Sequence, residues 1–379
     1  MIAEREVTTL LPVSHAKPKA VSLFSGGGGM DLGVSDAGFE VLVSIERDPH
    51  CCETLRSRVE QCNSTTQIME QDIREVDPNI LRESLGLDPG DLDLLFGGPP
   101  CQAFSQIGKR LSLDDERGML LFEMVRFAET FRPRAILIEQ VKGLLNAPDE
   151  GGVPGSVLSE LMGRMKKLGY TPTLQVINSA DYGVPQFRKR VFIVATRGKK
   201  RFEFPRPTHG IPEALPLLGI QPYVTVGDVL KGLTRPAYRK ESAIPNHIDV
   251  TPDRDRGRIQ GVPEGSHLAK ELHLPVEQRC RLGKKDTTKY RRLSRSEPSL
   301  TLRCGEIFFH PTLDRYLTPR EYLRIHGYPD DYLLKGPVRS RSGTVRNLDQ
   351  HRQVANSVPP PVAKVLAESI REFLRAEAL

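Results

Sequence analysis

Between residues 20 and 195 the chain alternates short apolar runs with stretches of helical period. The runs are Ala20–Phe24, Val41–Glu46, Gln67–Met69, Leu92–Phe96, Ala135–Glu139 and Val191–Ala195. The helical stretches run from Met30 to near Gly38, from Pro49 to about Val59, from Met119 to Thr130 and from Val157 to Leu168. Apolar strands of this length, separated by helices, predict an α/β fold with a doubly wound, mostly parallel sheet. Ligands of such sheets bind at the carboxyl ends of the strands. The chain's conspicuous polar features lie at those ends: the turn Ser25-Gly26-Gly27-Gly28-Gly29, then Glu46, Asp72, Cys101 and Glu139.

After about Gly198 the texture changes. Pro205, Pro207, Pro212, Pro216, Pro222 and Pro236 interrupt any long element. From Gly183 to Glu306 there are 25 Lys and Arg against 13 Asp and Glu, while the rest of the chain has 29 against 35. Charge divided this way suits a polyanion partner on one side of the molecule, or a solvated basic surface. The expected organisation is a loose arm over 1–18, an α/β domain over 19–197, a smaller irregular basic domain over 198–346, and a closing helix over 347–379 that packs back on the first domain. No run of about 18 apolar residues is present to span a membrane, and the N-terminus lacks an apolar signal core. The six cysteines include no C-x-x-C pair, so a zinc site is not expected and a reducing, cytoplasmic setting is.

Several of these residues carry chemistry. In Gly97-Gly98-Pro99-Pro100-Cys101 two glycines turn the chain and two prolines stiffen it, which presents Cys101 as a nucleophile or leaves it a half-buried loop thiol. Counting from Gly26, the sixth position is Asp31, so the turn departs from the G-x-G-x-x-G of dinucleotide sites. A nucleoside without a pyrophosphate fits better, with Phe24 available to stack on a base. Glu46 suits two ribose hydroxyls or is a surface acid. Asp72 suits an adenine amino group or caps a helix. Glu139 closes an apolar strand, where desolvation raises a carboxyl pKa towards neutrality; it can equally be a salt-bridged acid. In Gln186-Phe187-Arg188-Lys189-Arg190, alternation puts Gln186, Arg188 and Arg190 on one face, able to hold a substrate oxygen and a phosphate.

In order and spacing these segments resemble the DNA (cytosine-5) methyltransferases. Phe24-Ser25-Gly26-Gly27-Gly28-Gly29 is similar to the family's first motif, Pro99-Pro100-Cys101-Gln102 with Phe104 and Ser105 to its catalytic loop, and Asp115-Glu116-Arg117-Gly118 with Leu120 to the motif after it. Ile138-Glu139-Gln140-Val141 resembles its Glu-Asn-Val segment, with Gln140 in place of the usual Asn. Gln186-x-Arg188-x-Arg190, Arg292 to Arg303, Arg315 to Glu321 with His326-Gly327-Tyr328-Pro329, and Gln353 to Pro359 continue the match. The resemblance implies an S-adenosylmethionine-dependent methyltransferase fold. It implies an enzyme that methylates C5 of a flipped-out cytosine through a covalent adduct of Cys101, with Glu139, Arg190 and Arg188 completing the catalytic set. The cofactor S-adenosyl-L-methionine would touch Phe24, Ser25, Gly26, Gly28, Gly29, Glu46, Asp72, Ile73, Pro99, Leu120, Asn356 and Ser357. Double-stranded DNA would be the partner, contacted near the flipped base by Gln102, Ser105 and Gln186 and read by the basic region. A monomer beside the nucleoid, with a cognate restriction endonuclease, fits the family.

Overall fold

The computed structural model describes residues 17–100, 119–149, 151–211, 219–240, 242–270, 273–279, 290–339 and 347–377. The arm expected over 1–18 lies almost wholly outside these ranges, and Cys101, Gln102 and Ser105 lie outside them altogether. The central sheet uses β1 (Lys19–Leu23), β2 (Glu40–Glu46), β3 (Gln67–Glu70), β4 (Leu94–Gly97), β5 (Ala135–Val141), β6 (Tyr170–Asn178) and, beyond the short β7 (Gln186–Phe187), β8 (Lys189–Arg197). Its order is β3-β2-β1-β4-β5-β8-β6. Strands β1 to β5 are mutually parallel, and β8 runs antiparallel to both β5 and β6.

Both faces of the central strands β1, β4, β5 and β8 are covered, which is why these strands read as continuous apolar runs. Val21, Leu23, Leu95, Ile136, Ile138 and Ile193 point to one core. It is shared with α3 (Pro78–Ser84), α4 (Met119–Phe131) and α5 (Ser156–Lys167). The alternate residues Ala20, Leu94, Phe96, Leu137 and Val194 point to the other. There α1 (Gly29–Asp36) and a C-terminal helix cover them. Between β2 and β3, α2 (Pro49–Gln61) begins with Asp48 accepting the Cys51 N–H and Pro49 in its first turn, as the sequence predicts.

Two elements differ from expectation. Strand β6 is additional to the strands expected from the sequence; it contains Pro172 and lies at the sheet edge, where a missing N–H is tolerated. The single closing helix is two helices, Gln350–Asn356 and Pro360–Ala376, and the second covers α1. Pro359, Pro360 and Pro361 force the break, since a residue before proline is driven out of the helical region. Asn356 and Ser357 lie at that break. Elements between 198 and 346 are short, and a third apolar cluster links Val226, Ile259, Leu293, Phe308 and Tyr322 with Leu32 of α1 and Val354.

Candidate active site

Register brings the site together. Leu23 pairs with Ile45 on one side and Gly97 on the other, and Gly97 pairs with Ile138. One residue further on, Glu46, Phe24, Gly98 and Glu139 therefore stand in a row across four strands. At about 4.8 Å per strand the row spans roughly 14 Å from Glu46 to Glu139.

At the Glu46 end the backbone supplies the order. Phe24 sits at φ +56, a costly conformation for a bulky residue, and starts the turn. Gly26 N–H donates to Glu46 Oε2 at 2.8 Å, while the N–H groups of Arg47 and Asp48 donate to Oε1, each at 2.9 Å. Burial raises the Glu46 pKa, and these three donors oppose the rise. The glycines divide into two kinds. A Cβ on Gly26 would meet nothing within 4 Å among the described residues, which leave the turn open there. One on Gly29 would lie 2.2 Å from the Val358 carbonyl oxygen, and one on Gly28 2.4 Å from the Tyr332 hydroxyl. At Gly28 and Gly29 the absence of a Cβ admits the chain's own C-terminal half. Asp72 binds Arg74 at 2.8 Å and Arg47 at 3.3 Å, and those guanidinium groups, Arg74 first, hold its carboxyl well below the usual range. Ile73, next to Asp72, and Leu120 are both buried in the same apolar core.

At the other end charge is buried. Glu139 is 8% exposed, and Arg190 Nε donates to its Oε1 at 3.0 Å. Burial pushes the Glu139 carboxyl up, against the pull of Arg190 and Arg188. Gly98 lies against Glu139, its Cβ direction 3.4 Å from Oε2, so the loop leading to Cys101 departs beside this acid. Gln140 meets that loop directly: its Nε2 donates to the Pro99 carbonyl at 2.6 Å. Gln in place of Asn keeps a brace on the loop, while its Oε1 is buried with no partner among the described residues.

Arg188 is 1% exposed and donates from Nη2 to the Ser357 carbonyl at 2.9 Å. Its Nε and Nη1 have no partner among the described residues. Asn356 accepts from Cys304 Sγ at 2.7 Å. Gln186 is where the sequence reading needs correcting. It is fully buried, its Nε2 donates to His326 Nδ1 at 2.9 Å, and its Oε1 accepts from Leu302 N–H at 3.1 Å. An amide so enclosed does not reach a duplex; alternation put Gln186 on the arginine face correctly, but the interior is on that face. Sequence reasoning also gave no role to His326, Tyr328 or Tyr332, which pack behind the turn, nor to Asp31. Asp31 is buried, accepts from Ser44 at 2.6 Å, and burial pushes its pKa up to about 6. Among the described residues no group of His, Cys, Asp or Glu could hold a metal ion, and no helix is long and apolar enough to cross a membrane.

Known proteins agree with this arrangement. The sequence model of C-5 cytosine-specific DNA methylases matches residues 19–372. The chain is 42% identical over 242 residues to the Type II methyltransferase M.AquIA of Picosynechococcus sp., covering 62% of this chain and 95% of that protein. It is 33% identical over 365 residues to the Type II methyltransferase M.NgoFVII of Neisseria gonorrhoeae, covering 94% and 87%. A prophage-encoded DNA modification methyltransferase of Escherichia coli has the same fold, with a TM-score of 0.69 at 21% identity over 94% of this chain and 99% of that one. A sheet with its polar row at the strand ends, matched by the family along nearly its whole length, places this chain among the C-5 cytosine-specific DNA methylases, enzymes that methylate DNA.

Proposed function

We propose that the row from Glu46 to Glu139 holds S-adenosyl-L-methionine at one end and a flipped-out cytosine at the other, with Cys101 as the nucleophile. The observation that carries this reading is the register that aligns the open Gly26 turn with the Glu139–Arg190 pair. The open side of Gly26, next to the backbone-held Glu46 carboxylate, fits a nucleoside whose ribose hydroxyls donate to that acid. Phe24 would stack on the adenine, and Asp72 and Ile73 would border its edge. Pro99, Leu120, Asn356 and Ser357 would close over the remainder. The cofactor supplies an electrophilic methyl group.

The protein's task is to make C5 of cytosine able to take that group. The Cys101 thiolate adds to C6, and C5 becomes enamine-like. Glu139, with its proton affinity raised by burial, protonates N3 and binds the amino edge as the adduct forms. Arg190 holds O2, and Arg188 supports the same side from the interior. After methylation a solvent water takes the C5 proton, the C6–S bond breaks with its electrons returning to the Cys101 thiolate, and N3 gives its proton back to Glu139. A cytosine inside a duplex must first leave the stack, and Gln102 and Ser105 are placed in sequence to contact DNA near the vacated position. Residues 198–346 would read the target, with Lys and Arg on phosphates giving salt-dependent affinity. A monomeric cytoplasmic enzyme working on the nucleoid beside a cognate endonuclease is the setting we infer.

Incubating a plasmid with the protein and S-adenosyl-L-methionine, then mapping protected cytosines by bisulfite conversion, tests the reading. One short recurrent site with C5-methylcytosine is expected. Label transferred only to tRNA, or none to duplex DNA, overturns it.

A further inference from the structure

The segment His326 to Tyr332 packs behind both halves of the cofactor end, and nothing above gives it work. His326 is fully buried with both ring nitrogens engaged. Nε2 lies 3.0 Å from the Ser357 carbonyl oxygen, which can only accept, so the proton is on Nε2 and Nδ1 accepts from Gln186 Nε2 at 2.9 Å. Burial, with Arg188 nearby, drives the imidazole pKa well below its ordinary value, which keeps this single tautomer. The Ser357 carbonyl thus receives two donors, His326 and Arg188. Two residues on, the Tyr328 hydroxyl donates to the Gly27 carbonyl at 3.3 Å, and Tyr332 donates to the same oxygen at 2.9 Å.

The segment is itself tied to its surroundings. Arg320 Nη2 donates to the Tyr332 carbonyl at 3.0 Å, Arg58 pairs with Asp331 at 2.9 Å, and Arg324 pairs with Asp330 at 2.6 Å. One segment therefore contacts both the glycine turn through Gly27 and the helix break through Ser357. Ser357 itself packs against Gly29, and the proposed function sets both pieces of chain beside the cofactor.

We propose that His326, Tyr328 and Tyr332 are positioning residues that set cofactor affinity by fixing the Ser357 and Gly27 peptides relative to one another. None of them touches the reacting atoms. The inference rests on the proposed placement of S-adenosyl-L-methionine. A purely structural role would lower thermal stability and leave the affinity of the folded fraction unchanged. A positioning role moves cofactor binding specifically.

The test is titration of the full-length protein with S-adenosyl-L-methionine by calorimetry, paired with methylation kinetics on duplex DNA. His326→Ala is expected to weaken cofactor binding by about tenfold, since it removes a buried hydrogen bond to each neighbour. The same variant should leave KM for DNA unchanged and kcat at saturating cofactor within about threefold. His326→Gln, which can donate and accept at similar positions, is expected to restore most of the affinity. Should His326→Ala not fold, the Tyr328→Phe, Tyr332→Phe double variant keeps the ring volumes and removes both donors to Gly27. It too should weaken binding by about tenfold. Wild-type cofactor affinity in the folded alanine variant or the double variant overturns the proposal. A wild-type protein that neither binds S-adenosyl-L-methionine nor methylates DNA overturns the proposed function, and this inference with it.

Discussion

Glu46 and Glu139 close neighbouring parts of one sheet, and burial raises the proton affinity of both. They differ in what holds them. Glu46 accepts three backbone N–H groups from its own turn and from Gly26. Among the described residues, Glu139 is held by a side chain, that of Arg190. Backbone donors cannot leave, so Glu46 is a fixed acceptor, suited to neutral hydroxyls. An arginine side chain can shift between a carboxylate and a substrate oxygen, so Glu139 can exchange partners as charge develops. In the function we propose, these surroundings give two chemically identical acids a binding role and a proton-transfer role.

The sharpest way to break this comparison is to neutralise each acid in turn. Glu139→Gln should lower kcat by roughly 10²–10⁴-fold with KM for the cofactor little changed, as loss of a general acid does; a pure KM effect in steady-state methylation assays would refute its role. Asp31 offers a third buried acid with neither a guanidinium nor a ring of backbone donors. Its native pKa is raised from 3.8 to about 6. The native state therefore keeps a proton that the unfolded chain releases. Stability from this group is fullest below about pH 4 and falls as pH rises through about 6, by on the order of 3 kcal/mol in all. Asp31→Asn should remove that decline, read as urea midpoints at pH 5 and pH 8; an unchanged difference between the two would show that Asp31 is not its source.

Smaller effects sharpen the picture further. Glu46→Ala should raise KM for S-adenosyl-L-methionine by about 10–100-fold while kcat at saturation holds, because uniform binding is lost rather than transition-state binding. A fall in kcat with unchanged KM would assign Glu46 to the chemistry instead. Gln140→Leu removes the 2.6 Å brace on the Pro99 carbonyl. About a threefold to tenfold loss of kcat, with cofactor affinity intact by calorimetry, is the expected cost of one lost loop hydrogen bond. No change in rate would mean that the loop is held by other contacts.

Much of this was legible in the sequence because the central strands of the sheet are buried on both faces. Apolar runs such as Ala135–Ile138 identify the strands, and polar residues at their ends, such as Glu139, identify the site. Features set by long-range contacts were not legible. The four glycines look alike in sequence, yet only Gly26 opens outward, while Gly28 and Gly29 yield to Tyr332 and Val358 more than 300 residues away. Gln186 alternates correctly with Arg188, but sequence period does not tell which face is interior. Strand β6 is not among those expected from the sequence, and Ser357 gained its place from a proline-forced break whose partners, Arg188 and His326, lie far off in sequence.

The central claim is that Cys101 attacks cytosine C6 beside Glu139 and Arg190. Duplex DNA carrying 5-fluorocytosine at the mapped site tests it most directly, because after methyl transfer the C5 fluorine cannot leave as a proton does and the adduct persists. With S-adenosyl-L-methionine present, the account predicts a denaturation-resistant protein–DNA complex whose cross-linked peptide contains Cys101. A cross-link to any other residue, or methylation of ordinary DNA with no trapped complex, would contradict it.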